Sequence, residues 1–521
     1  MKIKKGKLDV YCYRIMAIFL GIILVYGSFF GENAKVFGEL ILYAPRKGYF
    51  LPVFWIYALY VSLVAMLLKH GMKNGKKVGG IIFVIAILPR LILCIFDLYV
   101  PDNDFRKYLE MGQNIYYGNF AKVASVVDAY QLPSLGGLAV FNGLLAFLFS
   151  PTLIGYQLAN CMMTSLSCVM LYYIVKDYNK NIAAIAAFLY AIYPANIIAS
   201  QVTMNNHGAV LFALFSIYLY LLALKGNGKR VYIMPILAGI MMAVSQFIHA
   251  SSLIYILALV FYTLFIIYQL YLKKEKEKMI GLLKCILAFY ISFWLVGSVG
   301  TQMLYKAHII NSTEGLTILT KVVVGLNQET RGKKSPNNAE FGDLLTAPHD
   351  VQVKGCLEII KEEIKNPYDV MTLMIEKTDN TWFGMDSNIW WYTKGFSDQC
   401  KADEEAGADT RFTRLQEKVG NFSNAAMRLD LVFVRMIYIF TILALVLRKR
   451  ESVFDVMDLM LFLTLGWVSI YFFIEIQGRY RYAGMPAFMV LAAAGVYLLY
   501  SKMKQIIEMK KRIVKSDELE S

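Results

Sequence analysis

Two carboxylates stand one residue apart in the segment YVPDNDFRKYLEMGQNIYYG, which occupies residues 99–118 and follows an apolar run. Asp104 begins an amphipathic pattern, typical of a helix over about 103–117, and Tyr108 follows one turn later. A carboxylate that flanking aromatic residues screen from water can accept a proton from a hydroxyl group. Asp102, Asn103 and Asp104 also suit the N-cap of that helix. The sequence therefore leaves Asp104 two roles, general base or helix cap.

A pair of arginines forms a second candidate site near the C-terminus, in the segment QGRYRYAGMP at 477–486. Arg479 and Arg481 alternate with tyrosines, and a guanidinium group can donate two hydrogen bonds to a phosphate. Such a pair would suit the anionic headgroup of a lipid. The alternative is an interfacial belt in which tyrosines and arginines anchor a span at the membrane surface.

Other polar side chains at the ends of apolar runs could contribute to the same chemistry. Arg90 lies inside an apolar run, where an arginine is costly and indicates function unless its side chain reaches the membrane surface. Further polar groups could bind sugar hydroxyls or satisfy the backbone at helix ends, and the sequence leaves both roles open. They are Asn205, Asn206, His207 and His249.

These residues must be positioned by membrane-spanning helices. The chain of 521 residues is 58% hydrophobic and only 17% charged, whereas soluble proteins carry about 25% charged residues. Many apolar runs reach the ~18 residues that can cross a bilayer. We predict an all-α polytopic protein with twelve spans, at about 10–30, 50–68, 78–97, 156–175, 182–198, 209–224, 231–247, 251–271, 281–302, 430–447, 455–475 and 482–500.

The basic residues predict the orientation. The net charge of +15 comes from lysines and arginines that cluster in short loops between apolar runs, which is the pattern of a cytoplasmic face and does not indicate nucleic-acid binding. Both termini are then cytoplasmic, and Asp104 lies outside. The stretch 134–150 would reverse every later loop if it crossed the membrane, so we predict a juxtamembrane helix on the outer side.

Four regions follow from this order of spans. Residues 1–77 hold two additional N-terminal spans, and 78–302 form a catalytic membrane module with juxtamembrane helices at 103–150. Residues 303–427 form a large extracytoplasmic loop with helical patterns near 351–366 and 410–427, and 428–521 hold the last spans and a cytoplasmic tail. Cys356 and Cys400 lie in the loop, and whether they pair is left open. No CxxC pair or Cys/His cluster indicates a metal, although Asp102 and Asp104 together could hold a divalent cation.

Taken in order, these motifs resemble the GT-C superfamily of integral-membrane glycosyltransferases, in particular protein O-mannosyltransferases and bacterial lipid A aminoarabinose transferases. The resemblance lies in Arg90 before the first outer loop, DNDFRKY at 102–108 with its acid and tyrosine four positions apart, Gly118 after the first juxtamembrane helix, AIAAFLYAIYPANIIASQVT at 184–203, the glycines and asparagines after 324, and EIQGRYRYAGMP. It implies a cell-envelope enzyme with an extracytoplasmic site. The enzyme would transfer a sugar from polyprenyl phosphate to a hydroxyl of a protein, polymer or lipid, with inversion.

The resemblance also implies roles for individual residues. Asp104 would be the general base, Arg479, Arg481 and Arg90 would bind the donor phosphate, and a further set would bind the acceptor or sugar: Asp102, Tyr108, Asn205, Asn206, His207 and His249. The second outer loop departs from relatives that carry an acid there, so a scheme with two carboxylates is in doubt, and metal dependence stays open.

Two other classes of membrane protein compete with this interpretation. A polysaccharide polymerase or ligase of the O-antigen type is also polytopic with a large outer loop, but it lacks an essential first-loop carboxylate followed by juxtamembrane helices. A transporter of lipid-linked sugars would carry its ionisable residues at mid-membrane and often shows paired broken helices. The sequence shows no such pair.

Overall fold

Helices account for nearly all of the structure, a computed structural model that describes residues 8–33, 50–73, 77–96, 99–226, 230–337, 339–385, 389–394, 411–448 and 455–520. No strand occurs in these ranges. The main helices are α1 (Leu8–Phe29), α2 (Phe50–Lys73), α3 (Val78–Phe96), α4 (Asn103–Tyr116), α5 (Phe120–Tyr130), α6 (Ser134–Leu148), α7 (Leu153–Val175), α8 (Lys180–Ile192), α9 (Pro194–Ala199), α10 (Asn206–Lys225), α11 (Arg230–Ile248), α12 (Ser252–Leu272), α13 (Lys276–Lys306), α14 (Ile318–Leu326), α15 (Ala339–Thr346), α16 (His349–Glu363), α17 (Pro367–Thr378), α18 (Arg411–Leu447), α19 (Val456–Phe473) and α20 (Met485–Glu520).

Ten described helices are long and apolar enough to cross a membrane. They coincide with ten of the twelve predicted spans, and the other two match shorter apolar helices at Phe54–Lys69 and Lys180–Ile192. The prediction of an all-α polytopic membrane protein is therefore confirmed. The helical pattern near 410–427 and the span that follows it form one continuous helix, α18.

The predicted span at 182–198 is broken at Tyr193, where α8 ends and Pro194 begins α9. A proline cannot continue the hydrogen-bond ladder of the preceding turn, so the last carbonyls of α8 need other donors. Three of them accept from side chains: Asn196 Nδ2 of α9 donates to Tyr190 O at 3.1 Å, Tyr57 Oη to Ile192 O at 2.7 Å, and Arg90 Nη1 to Ala191 O at 3.3 Å.

Small residues allow the closest contacts between spans. A Cβ atom on Gly495 of α20 would lie 1.9 Å from the carbonyl oxygen of Phe440 in α18, and one on Gly239 of α11 would lie 2.3 Å from that of Phe289 in α13. Any side chain at these two positions would force the helices apart. Membrane helices commonly pack through such small residues, because the lipid supplies no hydrophobic force between helices.

Helix α6 begins beside the last turn of α11, since a Cβ atom on Gly137 would meet Phe247 O at 2.7 Å. That turn of α11 is bonded to the start of α10, because Ser245 Oγ donates to Ala209 O at 2.7 Å. The N-terminal end of α6 therefore lies at the level where α10 begins.

The C-terminal end of α6 lies at the same level. Leu145 and Ala146 pack on Tyr156 in the first turn of α7. In the next turn, Asn160 Nδ2 donates to Val202 O at 3.1 Å, just before α10 begins. Both ends of α6 thus contact one side of the bundle, and its 15 residues span only about 22 Å. The juxtamembrane placement of α6 stays a prediction.

The large loop forms an outer layer of helices, α14–α17, followed by a π-helical turn at Asp379–Phe383. Lys377 fastens this layer to the bundle. Its Nζ donates to Gly325 O at 2.5 Å in α14 and to Phe472 O at 3.1 Å and Ile474 O at 2.9 Å at the end of α19. Since an ammonium group has three hydrogens, these carbonyls use all of its donors.

The first helix is packed into the fold together with this layer. Arg435 of α18 donates to Gly27 O and, at 3.1 Å, to Phe383 O, and Asn33 Nδ2 donates to Asp379 Oδ2 at 2.8 Å. These contacts bind α1 to the π-helical turn.

Cys356 is a free, fully buried thiol among apolar side chains of α14 and α15, and Cys400 lies outside the described residues.

Candidate active site

Asp104 and Arg479, predicted from opposite ends of the chain, meet at one partly exposed surface site, which we call the opening and define by these two residues and the rings of Phe105 and Tyr480. Asp102 is the N-cap of α4, with its carboxylate accepting from the amide of Asn103, so the capping role falls to Asp102. Asp104 lies in the first turn with its side chain 40% exposed. Arg479 lies in the 3₁₀ turn Gly478–Ala483, and its Nη2 is 3.7 Å from Asp104 Oδ2.

Aromatic rings hold the Arg479 guanidinium in place. Its central carbon lies 4.9 Å from the ring centroid of Phe105 and 5.9 Å from that of Tyr480. A cation above the face of an aromatic ring is attracted by the ring quadrupole. The side chain is only 15% exposed, so it does not extend freely to the membrane surface as a simple interfacial anchor would.

The other carboxylate oxygen of Asp104 is bonded to a residue that the sequence did not indicate. Tyr130, at the end of α5, donates from its hydroxyl to Asp104 Oδ1 at 3.1 Å. Lys107, one turn along α4 from Asp104, donates to the same hydroxyl at 2.6 Å. Lys107 stood in the quoted motif, but nothing in the sequence placed Tyr130 beside it.

Tyr108 lies on the same face of α4, and its carbonyl accepts from Asn142 Nδ2 of α6 at 3.0 Å. Burial, and after it the negative charge of Asp104, raise the pKa of Tyr108 to about 12. Its hydroxyl therefore keeps its proton at neutral pH and can only donate or accept hydrogen bonds.

Asp102 is paired with a cation from the outer layer. Lys394 Nζ lies 3.0 Å from Asp102 Oδ2, and this hydrogen bond is the main cause that lowers the pKa of Asp102. Lys394 also lies 5.6 Å from the ring centroid of Trp390 and 5.5 Å from that of Trp391. Trp391 contacts Phe105 edge-on at 5.6 Å, so this aromatic pair borders the opening.

The two carboxylates that could together hold a divalent cation are each paired with a basic side chain. Asp102 faces Lys394, and Asp104 faces Arg479 and the hydroxyl of Tyr130. Two positively charged side chains thus occupy the oxygens that a metal would need. Across the part of the chain that the structure describes, no group of three or more His, Cys, Asp or Glu residues could hold a metal ion.

Arg481 points into the protein and does not reach the opening. It is fully buried, its Nη2 pairs with Asp430 Oδ2 at 2.5 Å, and its Nη1 donates to Gly384 O at 2.7 Å. Asp430 in turn accepts from the amide of Ala195 at 3.2 Å. A buried pair of this kind fixes the turn that carries Arg479, and the predicted phosphate contact of Arg481 is not supported by this position.

Arg90 is likewise fully buried. Its Nη1 donates to Ala86 O and Ala191 O, which lie in its own helix and at the end of α8. The carbonyl of Ile85, left free by Pro89, accepts from Tyr60 Oη at 3.1 Å. Arg90 therefore donates to backbone carbonyls in α3 and at the break before Pro194, and its placement gives no support to the predicted role in binding the donor phosphate.

The segment Asn205–His207 makes its contacts inside the fold, and its histidine bonds to backbone carbonyls. Asn206 and His207 are buried, and Asn205 precedes α10 without a side-chain cap bond. His207 Nε2 faces two carbonyl oxygens, Ala199 O at 2.8 Å and Val202 O at 3.3 Å, so this nitrogen carries a proton. Its Nδ1 lies 2.9 Å from the hydroxyl of Tyr482.

His249 lies between α11 and α12, and its Nδ1 accepts from the amide of Ser251 at 3.1 Å. Burial and the positive charge of Arg479 lower the pKa of His249 to about 4. The histidine is therefore neutral at physiological pH. Among the residues predicted to bind the acceptor or sugar, Tyr108 and His249 interact with charged groups of the opening, and Asp102 lies beside it.

A second carboxylate lies on the segment that carries Arg479. Glu475 Oε2 lies 3.1 Å from Lys321 Nζ of α14, and Gln477 donates to Glu475 Oε1 at 3.1 Å. Sequence reasoning did not assign Glu475, since a single acid beside QGRYRY carries no spacing signal. It links the outer layer to the opening.

Comparison with known proteins finds a similarity over part of the chain. No curated protein matches the chain. One family model matches a segment that runs from α6 into α13 and includes His207 and His249, but reaches neither Asp104 nor Arg479. Residues 138–294 match the family of dolichyl-phosphate-mannose-protein mannosyltransferases, and this confirms the resemblance to membrane glycosyltransferases of the GT-C type over that part of the chain.

Proposed function

We propose that the protein transfers a sugar from a polyprenyl-phosphate-linked donor to an acceptor hydroxyl at the opening between Asp104 and Arg479. One observation carries the proposal: Arg479 Nη2 lies 3.7 Å from Asp104 Oδ2, although sequence reasoning selected the two residues independently. A carboxylate can take the proton of an acceptor, and a guanidinium can bind a departing phosphate. The family match over 138–294 supports the same reaction class.

The reaction would be a single displacement. The acceptor hydroxyl gives its proton to Asp104 as its oxygen attacks the anomeric carbon of the donor sugar. The bond from that carbon to the phosphate oxygen breaks, and the lipid phosphate leaves with the electron pair. Arg479 stabilises the negative charge that develops on the phosphate. Attack opposite the leaving group inverts the anomeric configuration.

The pair must separate during this reaction. In an inverting displacement the base and the leaving group stand on opposite faces of the sugar, and the carboxyl groups of inverting glycosidases lie about 6.5–9.5 Å apart to leave room. Arg479 and Asp104 are only 3.7 Å apart. The donor phosphate would draw the guanidinium toward itself and uncover Asp104 Oδ2. Donor binding would then precede activation of the acceptor.

The extracytoplasmic side is the proposed side for this chemistry. Asp104 and Arg479 lie at the face opposite Lys225 and Arg448, which stand at helix ends beside the basic loops. Lys225 pairs with Asp177 at 3.2 Å, and Arg448 pairs with Asp455 at 2.8 Å. Loops rich in lysine and arginine mark the cytoplasmic face. An acceptor protein, polymer or lipid would thus meet the donor outside the cytoplasm.

The test supplies labelled polyprenyl-phosphate sugars to the purified protein in detergent and follows label into extracted cell-envelope acceptors. We expect transfer from at least one monosaccharide donor, and its loss in Asp104→Asn. Glu110→Gln, on the exposed face of α4, is the matched control and should retain activity. A ladder of products formed from a diphosphate-linked glycan would instead identify a polymerase or ligase. In proteoliposomes, transport of intact donor without transfer would identify a transporter.

A further inference from the structure

The hydroxyl of Tyr130 stands between two charged groups of α4. It lies 3.1 Å from Asp104 Oδ1 and 2.6 Å from Lys107 Nζ, and Lys107 Nζ is also 4.6 Å from the centroid of the Tyr130 ring. The three side chains come from two helices, so their contact depends on how α5 packs against α4. Neither helix belongs to the segment 138–294 that matches the glycosyltransferase family.

The chemistry of these groups fixes the direction of both hydrogen bonds. An ammonium group can only donate, and an ionised carboxylate can only accept. A tyrosine hydroxyl has one proton, so it accepts from Lys107 and donates to Asp104. The bond to Tyr130 raises the pKa of Lys107 and keeps the ammonium charged. The result is a chain of donors that ends on a single oxygen of Asp104.

The fold holds Tyr130 in this place by several means. Gly118 has a φ of 74°, a left-handed conformation that favours glycine and turns the chain from α4 into α5. Val123 and Val127 of α5 are buried in one apolar cluster with Met111 of α4.

The end of α5 is anchored as well. Gln131 ends the helix in a left-handed conformation, and its carbonyl accepts from the amide of Leu316 at 3.0 Å, just before α14. Tyr130 is therefore held on both sides, by its own helix and by the outer layer.

We propose that Tyr130 and Lys107 are positioning residues that orient the Asp104 carboxylate and direct its second oxygen, Oδ2, to the acceptor. This inference rests on the proposed function, in which Asp104 is the base. Because Oδ1 already accepts from Tyr130, Oδ2 is the oxygen left for the acceptor hydroxyl once Arg479 has moved to the donor phosphate. A carboxylate held by one oxygen keeps the other in a fixed direction, which proton transfer requires.

Tyr130→Phe isolates one of the contacts to Asp104. The titratable and charged groups that face Asp104 come from three elements. They are Lys107 and Tyr108 of α4, Tyr130 of α5 and Arg479 of the 3₁₀ turn. Tyr130→Phe removes one donor and leaves the charges of Lys107 and Arg479 in place. Asp104 Oδ1 then loses its hydrogen bond, and the carboxylate is no longer held in one direction.

A chemical probe tests this without any assay of transfer. A water-soluble carbodiimide with glycine ethyl ester modifies accessible carboxyl groups, and peptide mass spectrometry measures the modified fraction of Asp104 against Asp343, an exposed acid of α15. At one fixed pH the modified fraction of Asp104 should be larger in Tyr130→Phe than in the wild type, because Oδ1 no longer accepts from Tyr130. Tyr117→Phe, an exposed tyrosine after α4, should leave that fraction unchanged. Equal modified fractions in Tyr130→Phe and the wild type would overturn the proposal.

Kinetics provide the second test. Tyr130→Phe should lower kcat about 10- to 100-fold with the donor KM unchanged. Lys107→Met should change kcat in the same direction, and Lys122→Met, on the exposed face of α5, should not. If Tyr130→Phe transfers sugar as the wild type does, the positioning role is wrong. If the wild type transfers no sugar while Tyr130→Phe still increases the labelling of Asp104, the proposed function fails and Tyr130 still controls Asp104.

Discussion

Arg479→Ala should weaken donor binding about 30- to 150-fold. A guanidinium that binds phosphate with a two-pronged contact contributes about 3–4 kcal/mol in charge-assisted hydrogen bonds. The donor must first displace Asp104, whose partly exposed pair with Arg479 at 3.7 Å contributes at most about 1 kcal/mol. The difference of about 2–3 kcal/mol corresponds to the expected loss, since about 1.4 kcal/mol changes an affinity tenfold.

The assay is equilibrium binding of a fluorescent polyprenyl-phosphate sugar to detergent-solubilised protein. Arg479→Lys should recover only part of the affinity, because an ammonium group lacks the planar fork. Arg331→Ala is the matched control, since Arg331 forms an exposed pair with Glu376 at 3.4 Å in the outer layer. Unchanged donor affinity in Arg479→Ala, with the protein folded, would refute a phosphate-binding role and leave this arginine as an interfacial anchor.

Three further outcomes test the fold and its orientation. Cysteines introduced at 110 and 340 should react with an impermeant thiol reagent in intact cells, and cysteines at 178 and 276 should not; the reverse pattern would place the opening in the cytoplasm. Arg90→Met should lower the free energy of unfolding by about 2–4 kcal/mol, because Ala86 O and Ala191 O lose their side-chain donor. A variant with normal thermal stability in detergent would contradict this role. Lys377→Met should destabilise the outer layer by a similar amount and expose it to limited proteolysis, whereas Lys365→Met, 68% exposed, should behave as the wild type.

Long apolar runs and basic loops were sufficient to predict the membrane-spanning helices, because burial in a bilayer demands a minimum length of apolar sequence. The basic loops also predict that α6 is a juxtamembrane helix, since a crossing there would reverse the later loops. Sequence reasoning did not predict the break at Tyr193, where Pro194 interrupts an otherwise continuous apolar run. Nor did it predict α5, whose short apolar pattern resembles a loop with a few buried residues.

Residues of the candidate site could be predicted only where a charged side chain stands in or beside an apolar run, because burying a charge there costs free energy. Asp104 and Arg479 stand out as charges at membrane edges, and the structure brings them together. Arg90 and Arg481 stand out for the same reason, yet their guanidinium groups bind backbone carbonyls or a buried carboxylate. Sequence alone cannot separate these cases, because the difference depends on which backbone carbonyls and carboxylates the fold brings to each guanidinium.

The residues that bind Asp104, Asp102 and Lys321 from remote segments could not be predicted from the sequence. Tyr130, Lys394 and Glu475 are ordinary residues in their local sequence, and each becomes informative only when a second helix approaches it.

The most direct test of the central claim is a paired measurement on Asp104→Asn, comparing turnover and donor affinity in one preparation. Because Asp102 caps α4, this variant should fold as the wild type does. It should lose about two to four orders of magnitude in turnover, as expected for removal of a general base. It should bind donor as tightly as the wild type or up to about fivefold more tightly, because Arg479 no longer has a competing carboxylate. Normal turnover in folded Asp104→Asn would contradict the claim that this carboxylate activates the acceptor.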